Sequence, residues 1–344
     1  MTSPSQTAVT KSDTPGLGPK GLKKEKKSKG GELVGRSPGQ LMWMRFKRDR
    51  TGMICAIVVL AFFVIAALAP VIGSLYGKDP YTFYGSEDPN LLDEFAYPAG
   101  PNGGVSPEHW FGIEPQLGRD VFMRLIYGIR MSLGISVVVT ILTVLTGIII
   151  GVTAGYLGGK TDYFISRVID FLLAFPSQLT FVAFTPVVVS LFVSPGDETP
   201  TYVRVCTLII VQWALGWMGL ARLLRGQVLS LREREFVEAA KITGASPWRI
   251  IRKELLPNVV TPVLVQGTYM LPLFVTAEAG LSFLGVGIVE PTPDWGQMFQ
   301  AAARFYENDP TFLLFPAAAM VIFVLCFNLL GDSVRDAFDP KSGR

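Results

Sequence analysis

Six long windows of this chain contain no charged residue: Thr51 to Gly77, Met131 to Gly159, Phe171 to Gly196, Val205 to Ala221, Leu255 to Ala277 and Thr311 to Gly331. A helix needs about 20 apolar residues to cross a bilayer core roughly 30 Å thick. The windows therefore predict an all-α polytopic membrane protein with six transmembrane helices. The fourth is short, but the long stem of Arg222 beside it can reach the interface. With 49% hydrophobic residues and a mean hydropathy of +0.39, the 344-residue chain is too apolar for an ordinary soluble domain.

Lys and Arg set the orientation. The leader carries Lys20, Lys23, Lys24, Lys26, Lys27, Lys29, Arg36, Arg45, Lys47, Arg48 and Arg50, and the connector between the fourth and fifth spans carries Arg222, Arg225, Arg232, Arg234, Lys241, Arg249, Arg252 and Lys253. Both belong in the cytoplasm. Six crossings bring the tail after Asp332 to the same side, so both termini are predicted to be cytoplasmic. Arg119, Arg124 and Arg130 violate the rule on the outer side and read as a partly exposed amphipathic helix after the acidic stretch Gly73 to Glu114. Residues 1–36 read as a disordered basic cytoplasmic tail attracted to membrane lipid. The first apolar run begins only near Met53 and is too long for a signal-peptide core. Residues 37–75 hold an interfacial helix opened by Ser37-Pro38 and the first span. Residues 76–130, rich in Pro, Gly and Asp, form an extracytoplasmic loop region, and 131–340 carry the other five spans.

The polar interruption at 231–257 reads as two short helices. The first runs from about Leu231 to Ile242 and stops at Gly244, the residue best able to turn left-handed. Ser246 caps the second, Pro247 opens it and Pro257 ends it. Ala239 and Ala240 permit close approach, while Phe236, Val237, Ile242, Ile250 and Ile251 offer apolar anchors. By charge alone this is any basic cytoplasmic connector. The spacing of Glu238-Ala239-Ala240, Gly244 and Leu256-Pro257, however, resembles the EAA loop of the membrane subunits of bacterial ABC importers. The resemblance implies a cytoplasmic helical pair that docks on an ATP-hydrolysing partner, with Glu238, Ala239, Ala240, Gly244, Ala245, Trp248, Arg249, Leu256 and Pro257 as the coupling set.

Two further matches narrow the branch. Trp110-Phe111-Gly112, Leu117-Gly118-Arg119-Asp120 and the run from Arg124 to Leu133 resemble the entry to the permease core in the dipeptide/oligopeptide branch. Pro293-Asp294-Trp295-Gly296, Phe327-Asn328-Leu329-Leu330-Gly331-Asp332 and Arg335-Asp336-Ala337-Phe338-Asp339-Pro340 resemble the C-terminal signature of DppC/OppC-type subunits. The likeness covers about residues 37 to 340, departing at the longer Ile113-Glu114-Pro115-Gln116 stretch and an enlarged outer loop. It implies an ABC importer permease core in a bacterial inner membrane, passing di- or oligopeptides, with nickel or another small solute as alternatives in the same subfamily. It further implies a second homologous permease subunit, two ATP-binding subunits that carry ATP and Mg, an extracytoplasmic substrate-binding protein, and for this chain no cofactor, no catalysis and no nucleic-acid partner.

Other chemistry finds little footing. Ala154 to Thr161 satisfies a relaxed phosphate-loop pattern ending in Lys160, but it follows a long uncharged run rather than a buried strand, so Lys160 reads as the basic residue of a cytoplasmic turn. Cys55, Cys206 and Cys326 fall within spans and behave as small apolar residues, and His109 reads as a surface residue. Pro262, Gln266, Pro272 and Glu278 give the fifth span the polar, kinked character of a pathway-lining helix, with Gln266 and Glu278 as lining residues and Glu278 near a water-solvated outer end. A secondary transporter would show internal repeats and buried coupling carboxylates, and a membrane hydrolase a nucleophile and base within spans; neither pattern stands out.

Overall fold

The computed structural model describes residues 38–194 and 196–338, in which helices are joined by turns and two isolated β-bridges. The basic tail and the final residues from Asp339 lie outside the described residues. Helix α1 (Pro38–Arg48) leads into α2 (Arg50–Tyr76), where Asp49 caps by accepting from the Thr51 N–H at 3.0 Å and Gly77 ends the helix at φ 72°. At 1.5 Å per residue, the 27 residues of α2 reach about 40 Å, enough to cross a bilayer with tilt.

The loop that follows holds two single-turn helices, α3 (Tyr84–Glu87) and α4 (Pro101–Gly104), and then α5 (Val121–Leu157) begins. Span two thus starts ten residues before the charge-free window, because Arg124, within those ten residues, is neutralised by partners in the fold. The window from Phe171 to Gly196 is not one helix. It is divided between α6 (Gly159–Leu173) and α7 (Ser177–Ser190), which meet at 89°. Pro176 supplies the break: it lacks an N–H and disfavours helical geometry in the residue before it. Helix α7, at about 21 Å, is too short to cross alone.

Helices α8 (Thr201–Gly216) and α9 (Met218–Leu231) form one gently broken span that carries Arg222 and Arg225 on its α9 half. Arg222 meets Asp170 at 2.5 Å and Arg225 pairs with Asp162, tying α9 to α6. Next come α10 (Glu235–Ile242), α11 (Pro247–Ile250), a π turn over Ile251–Leu255, α12 (Leu256–Phe283), α13 (Trp295–Ala302) and α14 (Pro310–Phe338). Among the described residues five helical stretches are long and apolar enough to cross a membrane, or six if the bent α6–α7 pair counts as one.

Helix α5 is the centre. Its most apolar window is 44% buried, against 22% in α2 and 17% in α14, which leave most of their side chains for surroundings outside this chain. One core packs α5, α8, α9 and α12 around Val139, Leu208, Leu220 and Phe274; another packs α2, α5, α12, α13 and α14 around Trp295, Phe312 and Phe323. The first depends on a glycine ladder, Gly147, Gly151 and Gly155, along which α9 lies against α5. A Cβ on Gly151 would stand 2.6 Å from the Ala221 carbonyl oxygen, so only hydrogen fits.

Candidate functional site

The 231–257 connector is built from local rules. Helix α10 begins at Glu235, four residues later than predicted, because Arg232–Arg234 form a turn that closes α9. Glu235 and Glu238 stand in its first turn and Lys241 in its last, each where the helix dipole favours its charge. Its end is a Schellman motif: the Gly244 N–H donates to the Lys241 carbonyl and the Ala245 N–H to the Ala240 carbonyl, both at 3.0 Å, with Gly244 at φ 78°. The Ser246 side chain accepts from the Arg249 N–H and Pro247 starts α11.

Pro257 does not end the second helix. The π turn bonds the Leu256 N–H to the Ile251 carbonyl, and Pro257 falls at the start of α12, where a missing N–H costs no intrahelical bond. Residues Pro247–Phe283 therefore run as one continuous 37-residue helical stretch, joining the connector directly to span five.

Burial divides the proposed anchors. Val237 and Ile250 are buried in this chain's own core with Val228, Leu255 and Val259, so they root the helix pair and offer nothing to a partner. Ile242 (87% exposed), Trp248 (67%) and Phe236 remain outside. Glu238, Ala239, Gly244, Arg249 and Pro257 are exposed, while Ala240, Ala245 and Leu256 are half-buried. Phe236, Ala239, Gly244, Arg249 and Glu254 border a cleft of about 410 Å³ between the two helices. The surface is a rigid apolar knob ringed by charge. Lys160 lies in the first turn of α6, after helix α5 rather than a strand, and this placement lacks a phosphate loop's framework.

At the opposite end of α5 lies a charge cluster with no counterpart in the sequence reading. Arg119 donates to Glu114 at 2.6 Å and to both Glu290 carboxylate oxygens at 2.6 and 2.9 Å; Arg124 donates to Glu290 at 3.2 Å and to Gln297 at 2.5 Å. Both arginines are buried, correcting the partly exposed helix predicted for them; Arg130 alone is exposed. Burial opposes the Arg119 charge, but its bonds to Glu290 and Glu114 hold it more basic than an ordinary arginine. Glu290 is likewise penalised by burial, yet Arg119 and Arg124 keep its carboxyl below the usual range. The acids come from residue 114 and from residue 290, a separation that charge counting cannot see.

His109 is also misplaced by the sequence reading. It is buried, with Nδ1 2.8 Å from Asp120, which caps α5 by accepting from the Met123 N–H at 2.8 Å. Glu278 is fully buried rather than water-solvated; it accepts from Ser282 at 3.0 Å and shares its enclosure with Asp294, the N-cap of α13. Gln266 is half-buried on α12. Burial raises the Asp294 carboxyl to about 6 against the opposing pull of the Gln297 N–H. Among the described residues no group of acids, histidines and cysteines is arranged to hold a metal.

A helical bundle around one central span, with an exposed helix–turn–helix knob continuous with another, is the framework of a polytopic membrane protein that offers a docking surface at one end. Residues 147–344 match the model of the binding-protein-dependent transport system inner membrane component, and the chain belongs to that family. Residues 37–93 match the N-terminal transmembrane domain of oligopeptide transport permease C. The chain is 34% identical over 306 residues to the dipeptide transport system permease protein DppC of Alkalihalophilus pseudofirmus, covering 89% of this chain and 90% of that protein. It is 36% identical over 311 residues to the oligopeptide transport system permease protein OppC of Haemophilus influenzae, covering 90% and 91%. It is 35% identical over 306 residues to the glutathione transport system permease protein GsiD of Escherichia coli, covering 89% and 91%.

Proposed function

We propose that this chain is one of two permease subunits of an ABC importer for short peptides, and that the 235–257 knob receives the stroke of separate ATP-hydrolysing subunits. The observation that carries the reading is the knob itself: apolar side chains held out at Phe236 and Ile242 on α10 and at Trp248 on a helix that runs unbroken into a span. Isolated exposed apolar residues mean little, but a rigid cluster rimmed by charge marks a protein contact. The peptide assignment follows the dipeptide, oligopeptide and glutathione names of the relatives, glutathione being itself a tripeptide. In this reading ATP and Mg reside on the partners, an extracytoplasmic binding protein selects the ligand, and this chain makes and breaks no covalent bond. The basic connectors support a cytoplasmic knob and cytoplasmic termini, with α6–α7 as a single bent crossing. Gln266 faces the pathway, and closure of the ATPases rocks the spans between inward-open and outward-open arrangements.

The test is reconstitution of the chain with its neighbouring permease, ATPase and binding-protein gene products. Di- to pentapeptides are expected to stimulate ATP hydrolysis and to accumulate inside vesicles. Stimulation by nickel alone, or accumulation driven by an ion gradient without ATP, would overturn the assignment.

A further inference from the structure

We propose that the cleft between α5 and α8, at the end nearest the 77–120 loop, binds the terminal carboxylate of the peptide in transit, with Arg130 as its cationic contact. The inference rests on the peptide-importer reading. Three arginines stand at the start of α5. Arg119 is held by Glu114 and Glu290, and Arg124 by Glu290 and Gln297. Arg130, about 14 Å along the helix from Val121, is exposed and has no acid partner among the described residues. An ionisable residue inside a span either pairs or faces water and substrate.

Its surroundings suit an anion. The cleft encloses about 410 Å³, within the roughly 300–1,000 Å³ of small-molecule sites, and Tyr81, Tyr127, Arg130, Val138, Ile209 and Thr292 line it. The Tyr81 and Tyr127 rings meet edge-on with centroids 6.5 Å apart, and no hydrogen bond among the described residues engages either hydroxyl. Burial raises the Tyr81 phenol above its ordinary value, so it stays a donor. A planar guanidinium beside phenol donors matches a carboxylate, which accepts two parallel N–H bonds. Apolar Val138 and Ile209 accommodate the adjoining side chain.

The cleft also opens in the right direction. Although α5 is the most buried span, Gly134, Val138, Ile141, Leu145 and Ile149 form an exposed stripe along it at helical spacing. Gly134 and Val138 belong to both the stripe and the cleft wall. A central helix that leaves one face bare presents it to whatever completes the pathway, and the cleft forms one end of that face.

The experiment uses the complete reconstituted transporter in phosphatidylcholine vesicles. It compares a peptide as free acid with the same peptide as C-terminal amide or methyl ester, whichever neutral form the binding protein loads to saturation. Wild type is expected to turn over the acid about tenfold faster than the neutral form. Arg130→Gln is expected to slow the acid about tenfold, leave the neutral form unchanged and bring the ratio near one, with Arg130→Lys recovering part of it. Selection by the binding protein is common to wild type and variant and cancels. Equal slowing of both peptides, or no slowing of either, overturns the inference while leaving the importer reading intact. A defect that instead depends on adding anionic lipid would identify a lipid phosphate as the occupant and also overturn it. If wild type transports neither peptide, the importer reading fails and this inference fails with it.

Discussion

Gly244 turns the connector at φ 78°, and a Cβ there would meet no atom within 4 Å, so its requirement is conformational rather than steric. A β-branched residue in the left-handed region costs about 1–2 kcal/mol, whereas asparagine visits it readily. Gly244→Val is therefore expected to uncouple ATP hydrolysis from uptake and Gly244→Asn to retain most coupling, as read by the ratio of peptide imported to ATP consumed. Glu238→Trp, on the exposed face of α10, is expected to block ATPase binding while leaving membrane insertion intact, measured by pull-down from detergent. At the other end of the molecule, Asp294 has a folded value of about 6 against 3.8 in an unstructured chain. The folded state thus holds a proton that the unfolded state releases, a contribution present below pH 4 and lost as pH rises through 6. The shift sets its size at about 3 kcal/mol at most. Glu290 acts in the opposite sense, losing its ion-pair contribution in acid. The stability difference between wild type and Asp294→Asn is expected to change between pH 4 and 6 and to be flat above 7, as followed by melting temperature.

Among the elements, the α5–α9 contact has the least tolerance. Gly151→Leu would drive a side chain into the Ala221 backbone, and overpacking of this kind costs about 1–3 kcal/mol or more. The variant is expected to insert in the membrane yet copurify poorly with partner subunits. The glycine ladder could have been found from its spacing alone. So could the break at Pro176, since both are matters of backbone geometry carried by nearby residues. The Gly244 turn and the Ser246 cap were read correctly for the same reason. The start of α5 was beyond such rules: Arg124 looks like the end of an apolar run unless Glu290, 166 residues away, is known to neutralise it. His109 and Glu278 were misjudged likewise, because a polar residue is buried only when a distant partner such as Asp120, or an enclosure such as that around Asp294, receives it. Pro257 was misread because the rule that proline ends a helix assumes an α-helical register, and the π turn before it shifts that register.

For the whole molecule, the bent α6–α7 pair decides the topology. If it crosses, three spans separate Asn102 from Ser246 and the two lie on opposite sides; if it re-enters, two spans separate them and they share a side. Single cysteines at the two positions are expected to differ in labelling by an impermeant maleimide, Asn102→Cys from outside and Ser246→Cys only after permeabilisation. Labelling of both from one side would reduce the crossings to five. The unbroken helix from Pro247 to Phe283 bears on how motion is transmitted. Thirty-seven residues make a beam about 55 Å long, and Trp248 sits at its near tip. In the proposed importer, pressure on that tip would be carried as leverage: were the fulcrum near mid-length, a nudge of a few ångströms on Trp248 would reappear at Phe283 with similar size and opposite sense. The π turn, one residue wider than its neighbours, is the place where such a beam can flex before it swings.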